Sequence, residues 1–532
     1  MSSLGLKWDT ILAKHWARNH VVIVAGRSVN EKQALKGAAS RAIEPYEDVN
    51  KVPLAVDFAQ SLAADHSVVL VLPTPPDKDS MMRLWHSGVT LIVDDLSMAN
   101  VLTGSGAHRA KKLIAMRDNY RDNIALVRCA LSASQLNSML ECKCMLEPLQ
   151  VKRKLRVEEY FDRDTLSRVR VFNEAESIAR RMVSNFPPDE HVAMETDQSV
   201  HVMLIGLGSV GQSILLQLAR IGHYRSGKRP KLTIVDRSVK HLWQQARTAH
   251  PALETLLQVE TEEKQIEDVS VEDLTRWSND SIPISVVYVC TKDEIANLRI
   301  SGLYLKTIHD KVAKEVGHSK RHLPKVIALD PSGGSVLSDF KSSNDNNSRQ
   351  EYFHLFSLIR SDEEGTASQT VEGLLTDVDD ARAKSFHEEY CCKEVEARGK
   401  DPARKLKPFD MEWDILSEEG RDANRYVADH VDVKLRAIGF AIQSNPTKAS
   451  ILSGEEVEIL AAMEHDRWTA DRKLAGWTLG VPRDDARKIH DNMIPYNQLA
   501  EEIKQYDRDS VQTMVEILTR EGKSLLRIPT AL

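Results

Sequence analysis

A chain of 532 residues is too long for one hydrophobic core, and at roughly 100–200 residues per domain it should divide into about three or four. With 42% hydrophobic and 28% charged residues it has the composition of a globular protein, which excludes wholesale disorder and membrane embedding. The net charge of -7 works against a nucleic-acid polymer, whose binding needs phosphates neutralised along a surface, but leaves room for a small anion in a local pocket.

No apolar run reaches the ~18–20 residues that a bilayer span needs; the best stretch, Leu204 to Gly222, is broken by Ser209, Gln212, Ser213 and Gln217. Direct membrane insertion is therefore not expected. The N-terminus MSSLGLKWDTILAKHW lacks the apolar core and cleavage site of a secretory signal, so a cytoplasmic location with reduced thiols is expected. The 6 cysteines form no Cys-x-x-Cys and have no His at metal-ligand spacing, so no metal site is expected.

In chain order, NHVVIVAG from Asn19 reads as a buried parallel strand ending in a small-residue turn. Runs at HSVVLVLP (66–73) and VTLIVDDL (89–96) follow, separated by the helix-like stretches PLAVDFAQSLAAD and DSMMRLWHSG. Alternation of this kind predicts a doubly wound α/β unit over residues 1–155. Residues 156–199 read as an amphipathic helical connector stopped at Pro187 and Pro188.

A second series, HVMLIGLGSVG at 201, KLTIVD (231–236), ISVVYVCT (284–291) and KVIALD (325–330), predicts another such unit over 200–340. The Ser-, Asn- and Gly-rich stretch after Asp330 reads as a long loop near which the second unit ends, and a linker and helical region is expected over 341–450. There EEGRDANRYVADHVDVKLRAIG reads as one helix closed by Gly439. Ser453-Gly-Glu-Glu456 has capping-box spacing and opens a small helical domain over 451–532. The fold class expected is α/β: two Rossmann-like doubly wound parallel-sheet domains, then a small, mostly α-helical C-terminal domain.

Chemistry concentrates in the second series, where Gly206-Leu-Gly208-Ser209-Val210-Gly211 ends a strand and opens a helix. The first glycine permits the tight turn, the second lets a pyrophosphate approach the backbone, and the third lets helix and strand pack closely. Ser209 adds a hydroxyl. Asp236 ends the next strand, where a carboxylate accepts ribose hydroxyls, and Arg237 follows it. The first series puts Ala25, Arg27 and Asn30 where glycines would stand, so no standard dinucleotide site is expected there; an arginine such as Arg27 in a surface turn is usually just solvated.

These repeats resemble the N-terminal, NAD-binding type of RCK domain (regulator of potassium conductance; TrkA-N), over roughly residues 20–340. In the first repeat GVTLIVDDLSMANVLTGSGAHRAKKLIAMRDNYRDN, with Ala110 and Asp122-Asn123, carries the likeness; in the second GLGSVG, Asp236 and Thr291-Lys-Asp293-Glu-Ile-Ala-Asn297 do. The resemblance implies that Gly206, Gly208, Gly211 and Asp236 bind NAD, NADH or another adenine nucleotide, with Thr291 and Asp293 near its other end. It also implies a homodimer or higher oligomer and a potassium transporter or channel as partner.

The C-terminal sequence MEHDRWTADRKLAGWTLGVPRDDARKIHDNMIPYNQLAEEIKQYDRDSV resembles the ryanodine-receptor repeat (RyR) domain, departing from it at Asp491, where the family commonly has proline. The resemblance implies a second ligand-sensing module. By residue type, Trp468, Trp477 and Tyr496 beside Lys473, Lys488 and Lys504 suit a stacked base and its phosphates. The other reading makes both tryptophans core, and core is the expectation for Trp468, whose helical face carries Val457 and Leu460. His465, with no identifiable nucleophile or orienting carboxylate, reads as a structural histidine.

No catalytic residue is assigned. A nucleotide-sensing regulator therefore stands ahead of an NAD-dependent oxidoreductase, which the glycine motif alone would permit, of a sensor or effector in nucleotide-triggered antiphage defence, and of a purely structural oligomer.

Overall fold

In a computed structural model of the chain, residues 20–26, 52–94, 98–133, 140–147, 159–192, 194, 198–278, 281–315, 324–330, 353–356, 380–401, 403, 406–407, 409–444 and 451–528 are described. Arg27, Asn30 and the loop expected after Asp330 lie outside them. The chain divides into two compact units, one of Met1–Ser177, Leu358–Asp379 and Met411–Glu419, the other of Ile178–Ser357, Asp380–Asp410 and Gly420–Leu532.

The first unit is a parallel sheet of β1 (Val21–Gly26), β2 (Val68–Leu72), β3 (Thr90–Val93), β4 (Lys112–Arg117), β5 (Glu141–Met145) and β6 (Val169–Phe172) in the order β3-β2-β1-β4-β5-β6. Helices α1 (Val52–Leu62), α2 (Lys78–His86), α3 (Met98–Gly104) and α4 (Tyr120–Ala133) alternate with its strands. β1 and β2 are buried along their whole length, which is why they read as unbroken β-branched runs. β6 falls inside the stretch read as a helical connector. Its VRVF buries every second residue as an edge strand on β5, a period-2 signal too short to stand out among arginines. Helix α5 (Glu174–Asn185) follows and stops before Pro187, as expected.

The second unit repeats that order with β7 (His201–Ile205), β8 (Lys231–Asp236), β9 (Gln258–Glu263), β10 (Val286–Val289), β11 (Lys325–Leu329) and β12 (Phe353–Phe356), arranged β12-β11-β10-β7-β8-β9. Both sheets thus have the Rossmann strand order, with a crevice where the order reverses, at β1/β4 and at β7/β10. α6 (Ser209–Ile221), α7 (Val239–Ala249), α8 (Val271–Ser278) and α9 (Glu294–Glu315) are its helices. Two strands lay hidden in the sequence. β9 is QVETEE, an exposed, charged edge of the kind that discourages further pairing, and β12 lies past the boundary expected at 340.

The second unit continues with α10 (Ala381–Lys400), α11 (Glu418–Asp429), α12 (Val431–Ala437), β13 (Phe440–Ser444), α13 (Gly454–Leu474), β14 (Thr478–Leu479), β15 (Ile489–His490), α14 (Glu501–Arg520) and β16 (Lys523–Arg527). The helix expected to run unbroken to Gly439 is split at His430, whose fully buried ring takes partners of its own; Gly439, at φ +71°, makes the turn into β13. β16 pairs antiparallel with β13, so the C-terminal layer reaches back beyond residue 451. Ser453 and Glu456 form the expected capping box.

Candidate functional site

The glycine turn sits at the carboxyl end of β7, beside the β7/β10 crevice. Gly206 has φ +95°, and a Cβ there would lie 3.0 Å from the Cys290 carbonyl group, so the tight turn needs glycine for both conformation and space. At Gly211 a Cβ would fall 2.1 Å from the Gly206 oxygen, the signature of a helix pressed onto its strand. Gly208 is different. It is the N-cap of α6 in ordinary extended conformation, offers no side chain to the helix end, and its Cβ would meet nothing within 4 Å. Neither backbone conformation nor packing calls for a glycine at that position. Beside it, Ser209 is exposed and Val210 half-buried.

Asp236 stands next to this turn at the end of β8. Its Oδ2 accepts the Leu207 N–H at 2.8 Å and its Oδ1 the Ser238 N–H at 2.8 Å. These two bonds hold the carboxylate at the crevice, and each oxygen keeps a second lone pair. Arg237 is exposed. Thr291 and Asp293, at the other side, are engaged by the fold. Thr291 gives its N–H and hydroxyl to Asn297 Oδ1 at 3.1 and 2.5 Å, and Asp293 accepts the Ala296 N–H in the first turn of α9. Asn297, wholly buried, also donates to the carbonyls of Thr291 and Leu329, tying the ends of β10 and β11 together. Its place in the Thr291–Asn297 motif was visible in the sequence; its role was not.

In the first unit the left-handed residue at the end of β1 is Gly26, at φ +88°, one position later than the sequence match to Ala25 placed it. A Cβ on Gly26 would lie 2.8 Å from the Pro73 ring and 3.2 Å from Val52, and β2 is followed by that proline, whereas β8 ends in a carboxylate.

The C-terminal aromatic residues converge. The His465 ring centroid lies 5.5 Å from that of Trp468 and 6.1 Å from that of Tyr496, while His490 packs at 4.9 Å from Trp468 and 6.0 Å from Trp477. Trp468 is half-buried, not core as its helical spacing suggested; Leu460, Glu464 and Arg467 take the interior face of α13. Trp477, also half-buried, lies under the Arg472 guanidinium at 5.5 Å, and Lys504 sits 5.7 Å from the Tyr496 ring. Lys473 is half-buried, whereas Lys488 holds φ +55° and donates to the Ala475 carbonyl, closing the turn after α13.

His465 has the orienting carboxylate that the sequence did not reveal. Its Nδ1 lies 3.3 Å from Asp507 Oδ2 and its Nε2 is 2.8 Å from the Ile494 carbonyl. Burial alone would lower its pKa, but the Asp507 carboxylate and the Ile494 carbonyl outweigh it and raise the pKa above the ordinary histidine value. Tyr496 donates to Glu458 at 3.1 Å, and burial followed by that carboxylate pushes the phenol up to about 12. Asp507 lies 42 positions from His465, and Glu458 lies 38 positions from Tyr496, so only α13 packing on α14 makes the first of these partnerships visible.

Residues 453–527 match the family profile of the RyR domain. Among solved structures, the chain is similar to the GsuK channel bound to ADP, with 15% identity, 64% of this chain and 66% of that one covered, and a TM-score of 0.37. It is also similar to the GsuK channel bound to NAD, with 13% identity, 64% and 62% coverage and a TM-score of 0.37, and to the GsuK RCK domain, with 11% identity, 84% and 85% coverage and a TM-score of 0.34. The chain thus spans just under two thirds of the length of those two channel structures. Among the described residues no helix is long and apolar enough to cross a membrane.

Proposed function

We propose that this protein is a nucleotide-sensing regulator whose second α/β layer binds an adenine nucleotide, NAD, NADH or a relative such as ADP. The phosphates would lie over Gly208 at the N-terminus of α6, where backbone N–H groups and the helix dipole favour an anion. Asp236 would take the ribose hydroxyls, a choice that favours an unphosphorylated 2′-OH. One observation carries the reading: Gly206 and Gly211 are accounted for by the protein's own packing, while Gly208 borders open space, as a ligand-approach position requires.

The RyR module would act as the second sensor, with Trp468, Trp477 and Tyr496 offering faces for a base and Arg472 and Lys504 a positive fringe. Following the RCK resemblance, the regulated partner would be a potassium transporter or channel, and the working form a homodimer or higher oligomer. No residue is assigned as a catalytic acid, base or nucleophile in this reading, and a regulator without turnover is the outcome expected.

Calorimetric titration of the full chain with NAD, NADH and ADP tests the site. Binding should be lost in Gly208→Asp, which places a carboxylate in the open space, and retained in Trp477→Ala. Binding that survives Gly208→Asp and disappears in Trp477→Ala would move the nucleotide to the RyR module. Steady oxidation of NADH by a 2-keto acid, or reduction of NAD by a 2-hydroxy acid, would replace the regulator with an oxidoreductase.

A further inference from the structure

We propose that the glycine-turn site and the RyR module are energetically coupled through α6, so that a nucleotide at Gly208 alters the packing of α13. This rests on the nucleotide reading above and adds to it a mechanism of regulation.

α6 is buried on two sides. Ile214, Leu215, Leu218 and Ile221 form an apolar stripe, but Ser213, Gln217 and Arg220, at i, i+4 and i+7, are equally hidden from solvent. A buried polar stripe on a helix needs fixed partners; Ser213 bonds back to the Ser209 carbonyl of its own helix, while the partners of Gln217 and Arg220 belong to a helix that leads to the RyR module. Gln217 donates to Asp429 Oδ2 at 2.9 Å, and Arg180 grips both oxygens of the same carboxylate at 2.8 Å. The Arg220 guanidinium lies 4.3 Å above the Tyr426 ring. Just past the helix, the His223 carbonyl accepts from His430 Nε2 at 3.0 Å.

From there the contacts run into α13. His430 Nδ1 lies 3.9 Å from Glu464 Oε2; Lys434, wholly buried on α12, donates to that oxygen at 2.9 Å; and Arg467 donates to Glu464 Oε1 at 2.8 Å. Glu464 immediately precedes His465 on the helix that carries Trp468. α6 also packs directly against α13.

Two physical properties make this assembly a transmitter. A helix is a stiff rod, and Gly208 and Gln217 are about 14 Å apart along it at 1.5 Å per residue, so an anion drawn onto its N-terminus acts on the whole rod. A buried ion cluster, unlike a surface one, has no water to absorb a displacement, and its energy changes steeply with distance. Close-packed interfaces of this kind shift between discrete arrangements instead of deforming smoothly.

Hydrogen exchange read by mass spectrometry on the full chain, with and without saturating ADP, decides the matter. Slowed exchange is expected at 206–222 and also at 426–437 and 454–474. In Gln217→Ala, which leaves the glycine turn untouched, ADP should still bind while the response at 454–474 falls by about half or more. Glu464→Gln should shift the ADP dissociation constant by about five-fold, the lower end for coupled sites. A response confined to the glycine turn in the unaltered chain overturns the coupling and leaves the binding site standing. So does a full 454–474 response in Gln217→Ala, which decides alone if Glu464→Gln does not fold. Absence of calorimetric heat with both ADP and NAD overturns the nucleotide reading itself and the coupling with it.

Discussion

The two α/β layers share a framework and differ at the crevice. In each, one buried asparagine makes the same three bonds. Asn123 accepts from the Arg117 N–H and donates to the carbonyls of Arg117 and Met145; Asn297 does the same with Thr291 and Leu329. In each, a wholly buried histidine at the start of the first strand reaches a loop carbonyl, His20 to Ser105 and His201 to Ile282. At the turn, however, Gly26 faces the ring of Pro73, whereas Gly206 faces the Cys290 carbonyl and the next residue, Leu207, donates its N–H to the carboxylate of Asp236. What holds a Rossmann layer together is thus separable from the groups at its turn, where the described residues of the two layers differ.

The largest expected difference between the layers is in acid. His430 in the second unit is held down to about 4, first by burial and then by the nearby Lys434 and Arg467, against the pull of Glu464. His20 in the first unit is lowered by burial, with the Ser105 carbonyl opposing. A histidine with a depressed folded pKa stabilises the fold above its unfolded value, 6.5, and loses that contribution as pH falls towards the folded value. The loss from His430 is on the order of 3 kcal/mol between pH 6.5 and 4, and His223, lowered to about 3 by burial, steepens it. Peptides at 426–437 should lose exchange protection on acidification before those of β1 and β4. His430→Gln, which keeps a donor for the His223 carbonyl but cannot titrate, should flatten the slope; an unchanged slope would mean that the two layers do not differ in this way.

The shared framework has its own test. Asn297→Ala leaves one N–H and two carbonyls of the strand ends without their partner, and Asn123→Ala does the same in the first layer. Each should cost about 3 kcal/mol in denaturant unfolding. A large cost at one position and a negligible one at the other would break the equivalence. Gly211→Ala, which drives a methyl into the Gly206 carbonyl, should cost about 2–3 kcal/mol.

Much of this architecture was legible. The buried strands β1, β2, β7, β8 and β10 announce themselves as β-branched runs, and the glycine motif falls at the strand–helix junction where its chemistry requires it. Of the strands that escaped, β6, β9 and β12 are edges, and an edge such as QVETEE buries too little to need an apolar sequence, while β5 is interior but its ECKCM carries Glu141 and Lys143. The split at His430 escaped because helical periodicity continues across it. In the site, Gly206, Gly208, Gly211 and Asp236 are neighbours in a local motif and were readable; the pairing of His465 with Asp507 depends on two helices meeting, which no local pattern encodes. The shift from Ala25 to Gly26 escaped because counting residues from His20 cannot detect a one-residue difference in where a strand ends.

The smallest expected effect on stability is the most informative about function. Gly208 has φ −67° and ψ −165°, a conformation open to any residue, and its Cβ would meet nothing. Gly208→Ala should therefore leave stability within about 0.5 kcal/mol of the unaltered chain, or raise it slightly by restricting the unfolded state. Gly26→Ala, at positive φ and against Pro73, should cost about 1–2 kcal/mol. If a pyrophosphate approaches the backbone at Gly208, the same neutral methyl should weaken ADP binding by at least about ten-fold, or 1.4 kcal/mol. A position silent in folding and costly in binding is held as glycine by its ligand. One silent in both would leave the second layer a framework whose Gly208 no ligand requires.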